Sequence, residues 1–225
     1  MRVVNMIGRQ RMTVPIGSAA TLIASLFVVS VTWGCAHAQE GGPPGTQEDQ
    51  GLPPAGYGTL RQEDVSLQLR APSVQIQIVP LHEGVIRLLA TDTYNSLHRL
   101  VESRRSEIDG AATRWGTREP RVFLVTFFGL EPEARFTPDE LVIASQSRLF
   151  RPLAIIPLSP LWNNQQLNQR ETARALYVFD EGVRLLDPFT VEYVSARTTA
   201  WEQILRVLER ERTSVLARAS AERNP

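Results

Sequence analysis

The feature that most constrains the fold is a series of short apolar runs between residues 121 and 193, each interrupted by Gly, Pro, Asp or another turn-forming residue. Runs of this length that are rich in Val, Ile, Phe and Tyr are typical of β-strands. The sequence therefore predicts a mainly β fold in two layers, an antiparallel β-sandwich. The runs are residues 122–128, 141–144, 149–158, 176–179 and 191–194.

Strict alternation of apolar and polar residues marks the segment before these runs. Such a period of two places one face of a strand on a core and the other in water, as in an antiparallel sheet. We expect two antiparallel strands here and a third over residues 85–89. The alternating apolar residues are Val65, Leu67, Leu69, Val74, Ile76 and Ile78.

Two segments change to a helical period. In residues 92–108 the apolar stripe includes Tyr94 and Leu97, and in residues 199–218 it begins at Trp201. Apolar residues spaced three and four apart lie on one face of a helix. We predict one helix inserted among the strands, about 92–108, and one C-terminal helix, about 199–218.

Residues 1–38 have the pattern of an export signal. Arg2, Arg9 and Arg11 precede an uncharged apolar stretch at 14–33, and small residues follow it. A basic region, an apolar region and a small-residue cleavage site together indicate secretion. We therefore expect an extracytoplasmic protein of the periplasm or outer membrane, either lipid-anchored or secreted.

The export signal leaves three outcomes open. Residues 32–35, Thr-Trp-Gly-Cys, resemble a bacterial lipobox in which Cys35 is acylated, although Thr32 stands where Leu is usual. Residues 36–38, Ala-His-Ala, fit an ordinary signal peptidase site with Gln39 as the new amino terminus. A retained apolar segment of about 20 residues is also just long enough to span a bilayer core.

Residues 39–58 are dominated by Gly, Pro, Gln and acidic residues. A segment of this composition buries too little apolar surface to offset the entropy lost on ordering. We predict a disordered tether at 39–58, followed by a single domain at 59–222, a length that suits one core.

Composition excludes several classes of function. All 24 basic residues are Arg, so no mechanism that needs a lysine amine is available, whether a Schiff base, a pyridoxal phosphate site or a Walker A loop. Without the three arginines of the export signal, 21 Arg face 24 acids. This balance gives no reason to expect nucleic acid as a partner.

The sequence offers no recognisable catalytic or metal-binding pattern. His37, His82 and His98 are the three histidines, and they share no ligand spacing. Cys35 is the single cysteine and lies at the end of the apolar stretch, where a lipid acceptor explains it better than a catalytic thiol. No G-x-S-x-G motif occurs. We predict a non-enzymatic protein without metal or cofactor.

Two tryptophans in polar surroundings are the candidate ligand-binding feature. An exposed aromatic ring beside side-chain amides offers a sugar or peptide both an apolar platform and directional hydrogen bonds. The alternative, which the general burial of Trp favours, is that each ring covers one end of the core. The candidate residues are Trp115 with Arg114 and Arg118, and Trp162 with Asn163 and Asn164.

Four stretches together resemble an immunoglobulin-like β-sandwich found in uncharacterised bacterial envelope proteins. They are residues 136–139 (Phe-Thr-Pro-Asp), 156–160 (Ile-Pro-Leu-Ser-Pro), 170–172 (Arg-Glu-Thr) and the run ending at 179–180 (Phe-Asp). The resemblance covers residues 65–194 and carries no catalytic residues. The two-cysteine core of antibody domains is excluded by the single cysteine.

These observations predict an exported, membrane-tethered binding or structural module of the bacterial cell envelope. Its expected partners are the membrane, through a lipid anchor or the signal segment, and an envelope protein or glycan. The alternative is a carbohydrate-binding or hydrolytic domain that uses the loops of Trp115 and Trp162. Sheet-edge pairing with a partner strand is a third hypothesis.

Overall fold

The computed structural model describes residues 51–223, and all of them belong to one compact unit, Gly45–Pro225. The predicted signal segment 1–38, with Cys35, lies outside the described residues. So do residues 39–50 of the predicted tether.

The described residues form two main antiparallel sheets and one short strand pair. The first sheet has the order β1-β2-β3-β9-β7, the second has the order β11-β10-β5-β6, and β4 pairs with β8. The strands are β1 Leu67–Arg70, β2 Val74–Pro80, β3 Arg121–Gly129, β4 Ala134–Arg135, β5 Leu141–Ser145, β6 Arg148–Phe150, β7 Ala154–Pro157, β8 Gln166–Leu167, β9 Thr172–Phe179, β10 Thr190–Tyr193 and β11 Ala196–Thr198.

Strand β3 is the centre of the first sheet because it is apolar on both faces. Its middle residue Val125 lies opposite Ile78 of β2 and Ala175 of β9. Six consecutive residues of β3, from Val122 to Phe127, are buried. A strand buried on both faces needs a continuous apolar run rather than alternation, which is what this segment of the sequence supplies.

The two sheets share one core. The ring of Phe127 on β3 lies 5.5 Å from that of Tyr193 on β10, and the ring of Phe123 lies 6.3 Å from that of Phe189. The Tyr177 hydroxyl donates a hydrogen bond of 3.0 Å to the carbonyl of Pro138. The predicted mainly β fold with antiparallel sheets and a C-terminal helix is confirmed.

Four α-helices accompany the sheets in residues 51–223: α1 Glu83–Ile86, α2 Thr91–Ser103, α3 Arg105–Trp115 and α4 Trp201–Arg223. None of the helices in this part of the chain is long and apolar enough to cross a membrane. The C-terminal helix starts at Trp201, whose ring stacks on Phe189 at 4.9 Å. Its indole Nε1–H donates to the carbonyl of Leu185 at 3.0 Å.

The structure corrects three local predictions. Residues 85–89 do not form a third strand, because His82 caps the short helix α1 by accepting from the Gly84 amide at 3.1 Å. The segment 92–108 is two helices that meet at Arg104, where φ and ψ are −117° and 11°. The Asp-Glu-Gly sequence at 180–182 is typical of a hairpin turn, but no hairpin forms there, since the chain beyond it crosses to the second sheet, where β10 pairs with β5.

The proline-interrupted run 149–158 lies at sheet edges, as its prolines predict. β6 is the outer strand of the second sheet and β7 is an outer strand of the first. Proline lacks the amide donor that an inner strand needs on both sides, so an edge position is the one that accommodates Pro157.

The first described residues are held against the helices. Gly58 and Leu60 form bridges with Ala90 and Leu89. Thr59 donates from both its amide and its hydroxyl to Glu211 Oε1 of α4, each at 2.9 Å. These contacts hold residues 58–60 against the segment after α1 and against α4, and Leu52 lies beside α1.

Candidate functional site

Two adjoining cavities lie beside helix α1. One has a volume of about 520 Å³ and the other about 380 Å³. Leu52, His82 and Arg121 line both of them. Concave sites of this size with convergent polar groups are the usual form of ligand pockets, so we take this region as the candidate functional site.

Three separate parts of the chain bring the polar groups of the larger cavity together. His82 is there because it is the N-cap of α1, and Arg121 because it begins β3. Arg212 comes from the middle of α4, which is anchored at Trp201. The cavity therefore depends on the packing of α1, β3 and α4, and not on a local motif.

The larger cavity carries an excess of positive charge. Its lining includes Arg121, Arg184 and Arg212 but only one acid, Asp187. Arg184 Nη1 lies 3.9 Å from Asp187 Oδ2, which is a long ion pair. Arg212 is half-buried and has no ion-pair partner among residues 51–223. These groups favour an anion.

The rest of the larger cavity is apolar. Its wall is formed by Leu52, Val85, Leu185 and Leu186. Leu186 is 72% exposed although it is a large apolar residue. The lining of the cavity therefore combines three guanidinium groups with apolar side chains, one of which is an exposed leucine.

The smaller cavity is electrostatically balanced. Arg121 Nη2 contacts Glu119 Oε2 at 3.3 Å, and Arg105 forms a close ion pair with Glu102. Most of its charged side chains lie beside side chains of opposite charge, so the cavity favours neither an anionic nor a cationic ligand. The charged residues on its wall are Glu83, Glu102, Arg105, Asp109, Arg118, Glu119 and Arg121.

The environment of His82 fixes its protonation. Burial, and then the charge of Arg121, lower the pKa of His82 from its ordinary value of 6.5, and Arg212 acts in the same direction. Glu83 and Glu119 raise the pKa but are outweighed. Because Nδ1 accepts from the Gly84 amide at 3.1 Å, the proton of the neutral ring is on Nε2.

This environment predicts a pH-dependent stability. In the window from 6.5 down to the lowered pKa, the unfolded chain binds a proton that the folded chain does not, so the free energy of unfolding falls with falling pH. We expect His82→Asn to remove the contribution of His82 to the pH dependence of the free energy of unfolding, because Asn cannot titrate but can still cap α1. Urea unfolding of both proteins at several pH values from about 7.5 to 5 measures it. Equal slopes would contradict the assignment.

The structure separates the two tryptophans of the predicted ligand site. Trp162 lies in a 3-10 turn, Pro160–Asn164, and is only 5% exposed. Its ring packs against Phe127 at 5.7 Å and Phe136 at 5.3 Å. The ring therefore covers the core and cannot act as an open platform, although Asn163 and Asn164 beside it are exposed.

Trp115 is instead the last residue of α3 and is 60% exposed. Arg114 and Arg118 near it are also exposed. The Arg118 amide donates to Glu181 Oε2 at 3.0 Å, and this bond and one from the Glu119 amide lower the pKa of Glu181. The segment after Trp115 is thus a fixed turn beside an exposed ring.

The remaining histidine of the described residues takes part in a side-chain cluster. His98 Nδ1 lies 2.8 Å from Glu83 Oε1, and its ring stacks on Tyr94 at 5.4 Å. Arg87 Nε donates to Glu83 Oε2 at 2.5 Å. In residues 51–223 no group of three His, Cys, Asp or Glu side chains is arranged to hold a metal ion.

Sequence reasoning did not find the larger cavity. Arg121, Arg184 and Arg212 are three arginines among many, and nothing in their spacing distinguishes them. The one local signal is the His-Glu-Gly sequence at 82–84, which is typical of a turn but does not show that the His82 ring caps α1. No protein-family model matches the chain, and no curated protein or solved structure matches it either.

Proposed function

We propose that the chain is an exported, membrane-tethered, non-enzymatic binding module of a bacterial cell envelope, built on an immunoglobulin-like β-sandwich. The N-terminal sequence supports the export and the tether. Two antiparallel sheets around one core, joined by ring contacts such as Phe127 with Tyr193, support the sandwich class.

The larger cavity is the observation that carries the binding role. It has a volume of about 520 Å³, an apolar wall and convergent guanidinium groups, and Gly51 and Leu52 line it. The first described residues of the predicted tether segment therefore lie at the cavity itself. A tether that ends beside the binding site would keep the site near the membrane that the tether reaches.

The groups of the cavity suit binding better than catalysis. Arginine stays protonated at all ordinary pH values and cannot act as a base. The neutral ring of His82 uses Nδ1 to cap α1, so it presents Nε2–H, which is a donor. The arginines and His82 can hold and orient an anion, but they are not poised to accept a proton from a substrate. The one carboxylate of the cavity, Asp187, already accepts a hydrogen bond from Gln146 Nε2 at 2.8 Å and lies 3.9 Å from Arg184.

The tether is tested by expressing the full chain with its own signal in a bacterium, beside a Cys35→Ala variant. We expect the wild type to begin at Cys35, to carry the mass of acyl groups and to partition into detergent, and the variant to lose both properties. A wild type that begins at Gln39 and stays aqueous would refute the lipid anchor. Export would then stand and the partners would be sought among soluble envelope ligands.

A carbohydrate-binding function has one exposed ring in its favour. Trp115 can offer a stacking face, with Arg114 beside it as a donor. Titration of oligosaccharides into wild type and Trp115→Ala would decide this alternative. Binding that disappears in Trp115→Ala at unchanged melting temperature would support it, and no binding to the wild type would remove it.

A further inference from the structure

We propose that the larger cavity binds an amphiphilic anion, a carboxylate or phosphate headgroup joined to an apolar chain. The headgroup lies among Arg121, Arg212 and His82, and the chain runs past Leu186 along α4. This inference rests on the proposed binding function and adds the chemistry of the ligand to it.

The lack of strong ion pairs for two arginines of the larger cavity favours an anionic headgroup. Arg212 is half-buried without an ion-pair partner among the described residues. The cavity is lined by three guanidinium groups and one carboxylate, so positive charge is left uncompensated and an anion bound there would offset it. The Arg121 side chain is only 19% exposed and lies 3.3 Å from Glu119. Because the Glu119 side chain is 72% exposed, a ligand anion can take its place beside Arg121.

His82 adds a directed donor to these charges. Its Nδ1 is engaged by the Gly84 amide, so Nε2–H is left for a ligand. A planar carboxylate or a phosphate accepts several hydrogen bonds at once, and guanidinium groups match both in geometry. The headgroup site therefore combines a neutral donor with two cations from different elements.

A second groove continues the apolar wall away from this headgroup site. It has a volume of about 330 Å³ and shares Gly84, Val85, Leu186 and Arg212 with the larger cavity. Beyond the shared residues, three leucines line it, Leu88, Leu205 and Leu208, together with the charged residues Arg206 and Glu209. A small hydrophilic anion would leave this path empty, whereas an apolar chain would fill it and cover Leu186.

The test uses the full chain carrying Cys35→Ala, which removes acylation and leaves the domain intact. Calorimetric titrations compare decanoate and dodecyl phosphate, below their micelle concentrations, with decanol and inorganic phosphate. We expect both amphiphilic anions to bind with a Kd at or below about 1 mM, and decanol and inorganic phosphate to bind at least about tenfold more weakly. Equal binding of decanol, or of inorganic phosphate, would overturn the proposal, as would no binding of either amphiphile.

Matched variants locate the site. Arg212→Gln should weaken dodecyl phosphate binding about tenfold or more, whereas Arg210→Gln, an exposed arginine on the same helix, should leave it within about twofold. Leu186→Ser should weaken dodecyl phosphate but not inorganic phosphate, and Leu149→Ser, which is equally exposed on β6, should change neither. Effects that are the same within either pair would refute the site, and melting temperatures identify any variant that fails to fold.

Vesicles distinguish a membrane lipid from a free amphiphile as the source of the headgroup. If the protein sediments with phosphatidylglycerol vesicles and Arg212→Gln does not, the source of the headgroup is a membrane lipid. If the protein binds dodecyl phosphate in the calorimetric titration but does not sediment with vesicles, the ligand is a free amphiphilic anion. Sedimentation that Arg212→Gln and Arg210→Gln weaken alike would mean general charge attraction and would overturn the proposal. The mass and partitioning of the acylated chain do not depend on these results, so the tether and the ligand can fail separately.

Discussion

Trp162→Ala is expected to lower the free energy of unfolding by about 3–5 kcal/mol, the usual cost of truncating a buried aromatic residue. The ring is 5% exposed and lies within 6.0 Å, centroid to centroid, of Phe127, Phe136 and Tyr177. Removing it leaves a cavity bounded by three rings that belong to different parts of the fold. Urea unfolding at equilibrium measures the change.

Trp115→Ala is the matched control for this prediction. Trp115 is 60% exposed, so its removal should change the free energy of unfolding by no more than about 0.5 kcal/mol. Equal losses in the two variants would mean that Trp115 also packs in the core. A small loss of unfolding free energy in Trp162→Ala would mean that the ring is available at the surface. The hypothesis of a ligand site formed by both tryptophans would then be supported again.

Gly129→Ala is expected to destabilise the domain by about 3 kcal/mol, near the upper end for inserting a methyl group into a packed site. A Cβ at this position would lie 2.2 Å from the carbonyl oxygen of Asn168 and 3.1 Å from Cβ of Leu167. The backbone cannot move aside cheaply, because the Gly129 amide donates to Glu171 and its carbonyl accepts from Arg170. Thermal and urea unfolding measure the loss.

Gly110→Ala provides the control in the opposite direction. Gly110 lies inside α3, and a Cβ there would meet nothing within 4 Å. Alanine restricts the unfolded chain and suits a helix better than glycine, so this variant should be more stable by about 0.5–1 kcal/mol. If both glycine substitutions destabilised the domain, the close approach at Gly129 would not be the cause of its effect.

Much of the secondary structure was predictable because it depends on local period and turn chemistry. The alternation at Leu67 and Leu69 produced β1, and the continuous apolar run 122–128 produced the buried strand β3. The helical spacing after Trp201 produced α4. The third strand over 85–89 was wrong, since an apolar run this short does not distinguish a strand from a helix turn, and the cap from His82 decided between them.

The candidate site was not predictable in the same way. Its three headgroup residues come from α1, β3 and α4, and no sequence pattern relates positions so far apart along the chain. For Trp162 the general burial of Trp favoured a ring that covers the core, and the ring does pack on Phe127, but its polar neighbours Asn163 and Asn164 left a ligand platform open as well. The direction of a side chain in a turn depends on which residues from other parts of the fold pack against it, and the neighbouring sequence does not show them.

The amino-acid sequence by itself determined the β-rich class, the C-terminal helix, the export-type N-terminal pattern and the exclusion of lysine chemistry. Each of these depends on residue type or on spacing within a few positions. Only the tertiary structure decided that Trp162 is core, that Arg121 and Arg212 converge on His82, and that Leu186 continues an apolar groove. Those relations arise because the crossing from β9 to β10 and the packing of α4 bring distant segments together, and contacts between distant segments leave no period in the sequence.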